Sequence, residues 1–276
     1  MGAVALGDAE GHSVVIIKVG GGKGLNLEGL AEDVAALRET VLIVHGANAW
    51  RDELAGKLGV RLEVLTSASG YASVLSDEPL MELMLMAYAG LRNKRLVEAL
   101  LRRGVRALGL TGLDGAVIRG RRNAAIRARE GDKIVLKRDL SGKPREVNAA
   151  LLRLLLAEGY TPVLTVPIAD ENGFAVNSEN DEVVALLQKT FRARCVVHLI
   201  EAAGLLADRS DPASAIASLS RDELAHLEAS APGRFRRKLR AILRTLEAGP
   251  VWVAMADGRA AHPLEGALSG KGTVIQ

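Results

Sequence analysis

The stretch Val14-Val15-Ile16-Ile17-Lys18-Val19-Gly20-Gly21-Gly22 constrains this chain more than any other. Four β-branched apolar residues in succession predict a strand buried on both faces, as in a parallel sheet with helices above and below. One lysine stands near its end, and three glycines follow. Without Cβ atoms, glycines let backbone N–H groups approach a ligand closely, and adjacent N–H groups beside a lysine form a nest for phosphate oxygens. The segment fits a phosphoryl-transfer site or, equally, a tight strand-to-helix turn with a solvated lysine. Two phosphate motifs are excluded: no Gly-x-Gly-x-x-Gly falls in this loop, and no Gly-Lys-Ser/Thr occurs anywhere in the chain.

The same pattern recurs downstream. Leu25 to Arg38 has helical apolar spacing, and Val41-Leu42-Ile43-Val44 predicts a second buried strand, ending in His45-Gly46-Ala47-Asn48 ahead of a helix through Trp50, Leu54 and Leu58. Two small-residue loops at the carboxyl ends of neighbouring parallel strands are where an open α/β sheet usually binds its ligand. His45 is a candidate base, but a histidine at a strand end more often bonds the local backbone. Further strands are expected at 105–110, 161–167, 195–200 and 251–256. Helices are expected at about 79–103, 147–158, 182–189, 219–227 and 233–246, with Leu65 to Leu80 as a loop and hairpin over the ligand. Met81, Met84 and Met86 read as core or subunit interface. Regular alternation of short apolar strands with helices predicts an α/β three-layer sandwich with a mostly parallel, doubly wound central sheet. A single domain over 14–276 is expected, divided softly into an N-lobe at about 14–170 and a C-lobe at about 171–276. Residues 1–13 read as a disordered extension, and the chain should close on a short edge strand.

Charge distribution says more than the total. The net charge of +3 demands no nucleic acid, and 3% aromatic content weighs against a base-stacking platform. No run is long enough to span a membrane and no secretory signal is recognisable. The lone Cys195 cannot form an intrachain disulfide, which fits a reducing cytoplasm. Between Arg119 and Arg145, Arg119, Arg121, Arg122, Arg127 and six further cations face only Glu130, Asp132 and Asp139. This predicts a protruding basic β-ribbon: either a solvated face or a surface that steers an acidic macromolecule. At the start of a later helix, Asp181 is a cap or an orienter of cationic groups.

Taken together, Lys18-Val19-Gly20-Gly21, His45-Gly46, Asn93-Lys94, Gly109 through Gly115, Asn177 through Asp181, Phe235-x-x-Lys238 and Gly272-Thr273 resemble, in order, the amino acid kinase family. Within it, the chain looks most like kinases acting on glutamate or 2-aminoadipate attached to a small acidic amino-group carrier protein, a branch serving lysine and sometimes arginine biosynthesis. The resemblance implies ATP and Mg2+, with no dedicated protein metal site, and a substrate carboxylate attacking the γ-phosphorus to give an acyl phosphate. It assigns Lys18 and Lys238 to the transferring phosphoryl group and the leaving ADP, and Asp181 to holding both lysines. It assigns the backbone of Gly20, Gly21, Gly46 and Ala47 to the phosphoryl oxygens, and Asn177 and position 74 to the substrate. A homodimer through the helix near 79–103 is implied.

Three positions depart from the family pattern. Ala47 replaces a glycine; Val74 stands where an arginine usually grips the substrate α-carboxylate, leaving a neighbour such as Arg92 to substitute; Glu201-Ala202-Ala203-Gly204 alters a segment near the nucleotide base. The alternatives to the carrier-dependent kinase are therefore an acetylglutamate kinase acting on a free acylated amino acid and a catalytically weakened nucleotide-binding regulator.

Overall fold

The computed structural model describes residues 14–66, 72–130, 133–208, 210–211, 213–231 and 233–276. The extension at 1–13 lies outside the described residues. In chain order the N-terminal part has β1 (Val14–Val19), α1 (Leu27–Ala36), β2 (Thr40–His45), α2 (Asn48–Leu58), β3 (Val64–Thr66), β4 (Ala72–Val74) and α3 (Glu78–Met84). A π-helical segment, Leu85–Arg92, joins α3 to α4 (Asn93–Leu101), and then come β5 (Ala107–Gly112), β6 (Ile118–Arg122), β7 (Ile126–Glu130), β8 (Lys133–Lys137) and β9 (Gly142–Val147). The remainder is α5 (Ala149–Ala157), β10 (Thr161–Ala169), β11 (Ala175–Val176), α6 (Asn180–Phe191), β12 (Cys195–Ile200), β13 (Ser218–Leu219), α7 (Arg221–Ser230), α8 (Gly233–Glu247), β14 (Trp252–Asp257), α9 (Pro263–Leu268) and β15 (Thr273–Ile275).

The expected three-layer α/β sandwich is present. Its parallel centre runs β14-β12-β1-β2-β10, with β5 also parallel to β10. All six residues of β1 are buried. Strand alternation sends Val15, Ile17 and Val19 into the core packed with α1, α4 and α9, and Val14 and Ile16 into the core packed with α3, α6 and α8. Burying one such side chain is worth about 1.5–3 kcal/mol, so a one-residue slip of β1, which would push Lys18 into the α1 core, is strongly disfavoured.

Three details differ from the sequence expectations. The long helix is interrupted by the π segment at Leu85–Arg92, whose wider turn leaves Leu85 and Met86 exposed while Met81 and Met84 are buried. The final strand β15 is not an edge, because β13 pairs along its outer side. The basic ribbon is two ladders: β6 with β9 in the main sheet, and β7 with β8 as a separate antiparallel pair. That pair packs over the β3–β4 hairpin through Val135, Ile126, Leu65 and Leu75.

Candidate active site

Sheet register assembles the charged centre. Lys18 shares the Ile16 face of β1, and in the parallel ladder it lies beside His198 of β12. Asp181, in the first turn of α6, faces both: Lys18 Nζ lies 3.2 Å from Asp181 Oδ1, and His198 Nδ1 lies 3.7 Å from the same oxygen. Burial opposes the charge on Asp181, but Lys18 foremost, with His198 and Lys238, brings its pKa down to about 2. Burial pushes His198 down to about 3 against the pull of Asp181, so this imidazole is neutral at physiological pH. The two lysines therefore supply the cationic field there.

Lys238 reaches the same cleft from α8. Apolar residues Phe235, Leu239, Ile242 and Leu246 stripe one side of that helix, and Leu239 and Ile242 are fully buried. Lys238 sits on the flank of the stripe, facing the cleft. Burial and then the neighbouring Lys18 lower its pKa to about 8, with Asp181 opposing. It is a cation at neutral pH and close to its titration range.

The two glycine loops meet above this centre. A Cβ on Gly21 would lie 2.8 Å from Asn48 N and 3.0 Å from Ala47 N, so only glycine permits the approach. At Gly22 the space is filled by Glu201, whose carboxylate accepts the Gly24 N–H at 2.7 Å and thereby clamps the loop to β12. The expectation that all four loop amides face phosphoryl oxygens needs correction. Gly20 N donates to Leu199 O at 2.9 Å and Gly46 N to Val19 O at 3.0 Å, because the parallel ladders continue one residue past the strands. Among the described residues the Gly21 amide meets no backbone acceptor, whereas the Ala47 amide is hydrogen-bonded to the Tyr88 hydroxyl and does not stand open to a ligand. Ala47 is buried with a φ of −149°, outside the left-handed region that would favour glycine. No side chain caps α2 behind it, which leaves the positive end of that helix open beside Asn48.

A cleft of about 660 Å³ connects these groups with Val74, Asn177 and the base of the ribbon. Asn177 is fixed by a short network: its Nδ2 donates to Ser76 Oγ at 2.9 Å, and Ser76 N donates to buried Asp139 at 2.9 Å. Val74, on β4, presents no charge. Arg92, the proposed substitute for an arginine there, is not among the residues lining the cleft; it is buried with its guanidinium 5.6 Å from the Trp50 ring centroid. Arg119 and Arg121 are exposed on β6 and Arg122 is partly buried, away from the lysine centre. Arg127 is placed on β7, and its side chain lies outside the described residues. His45 takes the local role: its Nδ1 lies 3.3 Å from Gly46 O, its Nε2 3.1 Å from Asn93 Nδ2, and burial lowers its pKa to about 3.

His198 and Arg51 are not picked out by their types or spacing, and Glu201, noted above as a departure from the family pattern, serves here to hold the glycine loop. A lone histidine in an apolar strand was the available signal for His198, but its pairing with Lys18 is a matter of register between strands far apart in sequence. Among the described residues, the one carboxylate–histidine cluster with metal-ligand spacing is Asp33, His262 and Glu265, outside the cleft. Its buried Asp33 already accepts hydrogen bonds from Leu264 N and Glu265 N and pairs with His262.

Comparison with known proteins bears on the family and the fold. The model of the amino acid kinase family matches residues 13–255. The chain is 40% identical over 269 residues to a [LysW]-aminoadipate kinase of Thermus thermophilus, covering 95% of this chain and 100% of that one. It is 30% identical over 261 residues to an acetylglutamate kinase of Moorella thermoacetica, covering 91% of this chain and 86% of that one. In fold it is similar to a Giardia carbamate kinase, with a TM-score of 0.66 at 15% identity over 96% of this chain and 98% of that one. The chain belongs to the amino acid kinase family, and it is a phosphotransferase.

Proposed function

We propose that the protein uses ATP to phosphorylate the side-chain carboxylate of 2-aminoadipate or glutamate attached to an acidic amino-group carrier protein, in lysine or arginine biosynthesis. The observation that carries this reading is the buried Lys18–Asp181 pair at 3.2 Å with Lys238 beside it, under the two glycine loops. A carboxylate is already ionised at neutral pH, so the reaction needs no general base, and none of the buried histidines has to serve as one. The requirement is to bring two anions into line and offset their charge.

Lys18 and Lys238 offset the charge of the transferring phosphoryl group and of the leaving ADP. Asp181 holds the lysines apart and in place. The Gly21 amide, with the open end of α2, receives phosphoryl oxygens. These donors fit a nucleotide triphosphate, and Mg2+, carried by the phosphates, would supply further charge neutralisation. Asn177 orients the substrate from the opposite wall.

The carrier is favoured over a free acylated amino acid by the exposed Arg119 and Arg121 beside the β7–β8 pair, which extend a basic surface from the cleft mouth. An acidic carrier would be steered there, with affinity falling as salt rises. A homodimer through the helix carrying the π segment accords with the outward Leu85, Met86 and Leu91. Among the described residues no helix is long and apolar enough to cross a membrane. The test is acyl phosphate formation, trapped as hydroxamate, with carrier-linked 2-aminoadipate, carrier-linked glutamate and free N-acetylglutamate compared.

A further inference from the structure

The cleft holds a cation that this mechanism leaves without a task. Arg51 stands in the first turn of α2, is only 8% exposed, and lines the cleft together with Asn48, Val74 and Tyr88. One edge of its guanidinium is tied down: Nε and Nη2 donate to Asp52 Oδ1 at 2.9 and 2.6 Å. The Asp52 side chain is itself 55% exposed, so water screens its charge. Among the described residues Nη1 meets no acceptor. Tyr88, buried on the π segment, hydrogen-bonds through its hydroxyl to Asn48 and closes that side of the cavity.

A planar guanidinium pinned along one edge, on a residue that lines the cleft, is preorganised for a carboxylate. Little side-chain entropy remains to be lost on binding, because the Asp52 contacts already fix the rotamer. No arginine stands at position 74 and Arg92 is sequestered against Trp50, so neither supplies this contact. We propose that Arg51 is the specificity-determining anchor for the substrate's second carboxylate, the one that is not phosphorylated, and that this chain grips its amino acid from helix α2 and not from the β3–β4 hairpin. The inference rests on the kinase reading above and names the substrate class of the same site: an amino acid with two carboxylates.

The test uses the full-length protein with N-acetyl-2-aminoadipate and its α-amide, and with 2-aminoadipate and its α-amide joined to the carrier through the amino group in place of the acetyl, in the hydroxamate assay. Arg51→Met should raise KM for the dicarboxylate about 10- to 100-fold, the range of a lost hydrogen bond between charged partners, and change kcat by less than about 3-fold. KM for the α-amide should be the same in both proteins, a discrimination that general damage to the fold would not produce. Asp52→Asn, which releases the pinned edge, should weaken dicarboxylate binding but by less than Arg51→Met, and Val74→Arg added to Arg51→Met should recover part of the loss. An unchanged KM in Arg51→Met, or equal losses for dicarboxylate and amide, overturns the assignment. If the unmodified protein forms no hydroxamate from any substrate, the kinase reading fails. Calorimetric titration of N-acetyl-2-aminoadipate then still decides the subsite: the unmodified protein should bind it and Arg51→Met should weaken binding, whereas equal or absent binding in both overturns it.

Discussion

The lysine centre and the basic ribbon both gather positive charge, but they are built in opposite ways. At the centre, Lys18, Asp181 and Lys238 are withdrawn from water, Lys18 pairs with the Asp181 carboxylate whose field Lys238 also feels, and their positions follow from strand register and the seating of α6 and α8. On the ribbon, Arg119 and Arg121 stand in water on a strand near the sheet margin. Buried charges interact strongly at short range and lose heavily when a partner is removed; exposed charges act weakly and at long range, through the field they sum to. The first design suits chemistry, and the second suits capture of a partner.

The largest effect that could break this contrast is expected at the centre. Lys18→Ala should lower kcat by about 10³-fold or more with little change in nucleotide affinity, since its contribution grows with the charge of the transition state. Asp181→Asn should lower kcat by at least about 10²-fold, because Lys18 and Lys238 then repel each other without a buried counter-charge. Near-normal turnover in both variants, measured by hydroxamate formation, would remove the site assignment. On the ribbon, reversing Arg119 and Arg121 to glutamate should raise KM for a carrier-linked substrate about 10-fold at low salt and leave a free substrate untouched. The difference should shrink as salt rises, and an equal effect on both substrates would detach the ribbon from carrier binding.

A pH profile sharpens the same comparison. Lys238 titrates at about 8, and the charge it contributes is present below that value and lost as pH rises through it. The alkaline limb of kcat/KM should therefore fall near pH 8, and Lys238→Arg should move that limb upward even where turnover is reduced. The smallest effect is on stability. His45 and His198 are held neutral with pKa values of about 3, against an unfolded value of 6.5, so the unfolded chain binds more protons below pH 6.5. Thermal stability should decline as pH falls from 6.5, and His198→Leu should flatten that decline. The Asp181 contribution sits in a separate window: with a folded pKa of about 2 it is present above 3.8 and is lost as pH falls through 2.

Local patterns made the frame of the molecule legible. Val14 to Ile17 could only be a strand covered on both faces, and the glycines at 20–22 marked the loop that meets α2. The family pattern then pointed to Lys18, Asp181 and Lys238, which the fold brings to one cleft. What sequence left hidden depends on distant register or on hydrogen-bond geometry. His198 reaches Lys18 only because β12 lies in register beside β1. The Gly20 and Gly46 amides are consumed by ladders extending one residue beyond the strands, which no composition reveals. Arg51 has no spacing that sets it apart within α2, and its place at the cleft depends on the tertiary packing of that helix. The π segment has the same apolar spacing as the α-helices that flank it, so periodicity did not separate them.

The most direct measurement is hydroxamate formation by the purified protein with ATP and Mg2+, using a carrier protein bearing 2-aminoadipate against free N-acetylglutamate, with Lys18→Ala in parallel. Carrier-dependent hydroxamate that disappears in Lys18→Ala is the expected result. Nucleotide binding without hydroxamate from any substrate, or turnover that survives loss of Lys18, would contradict it.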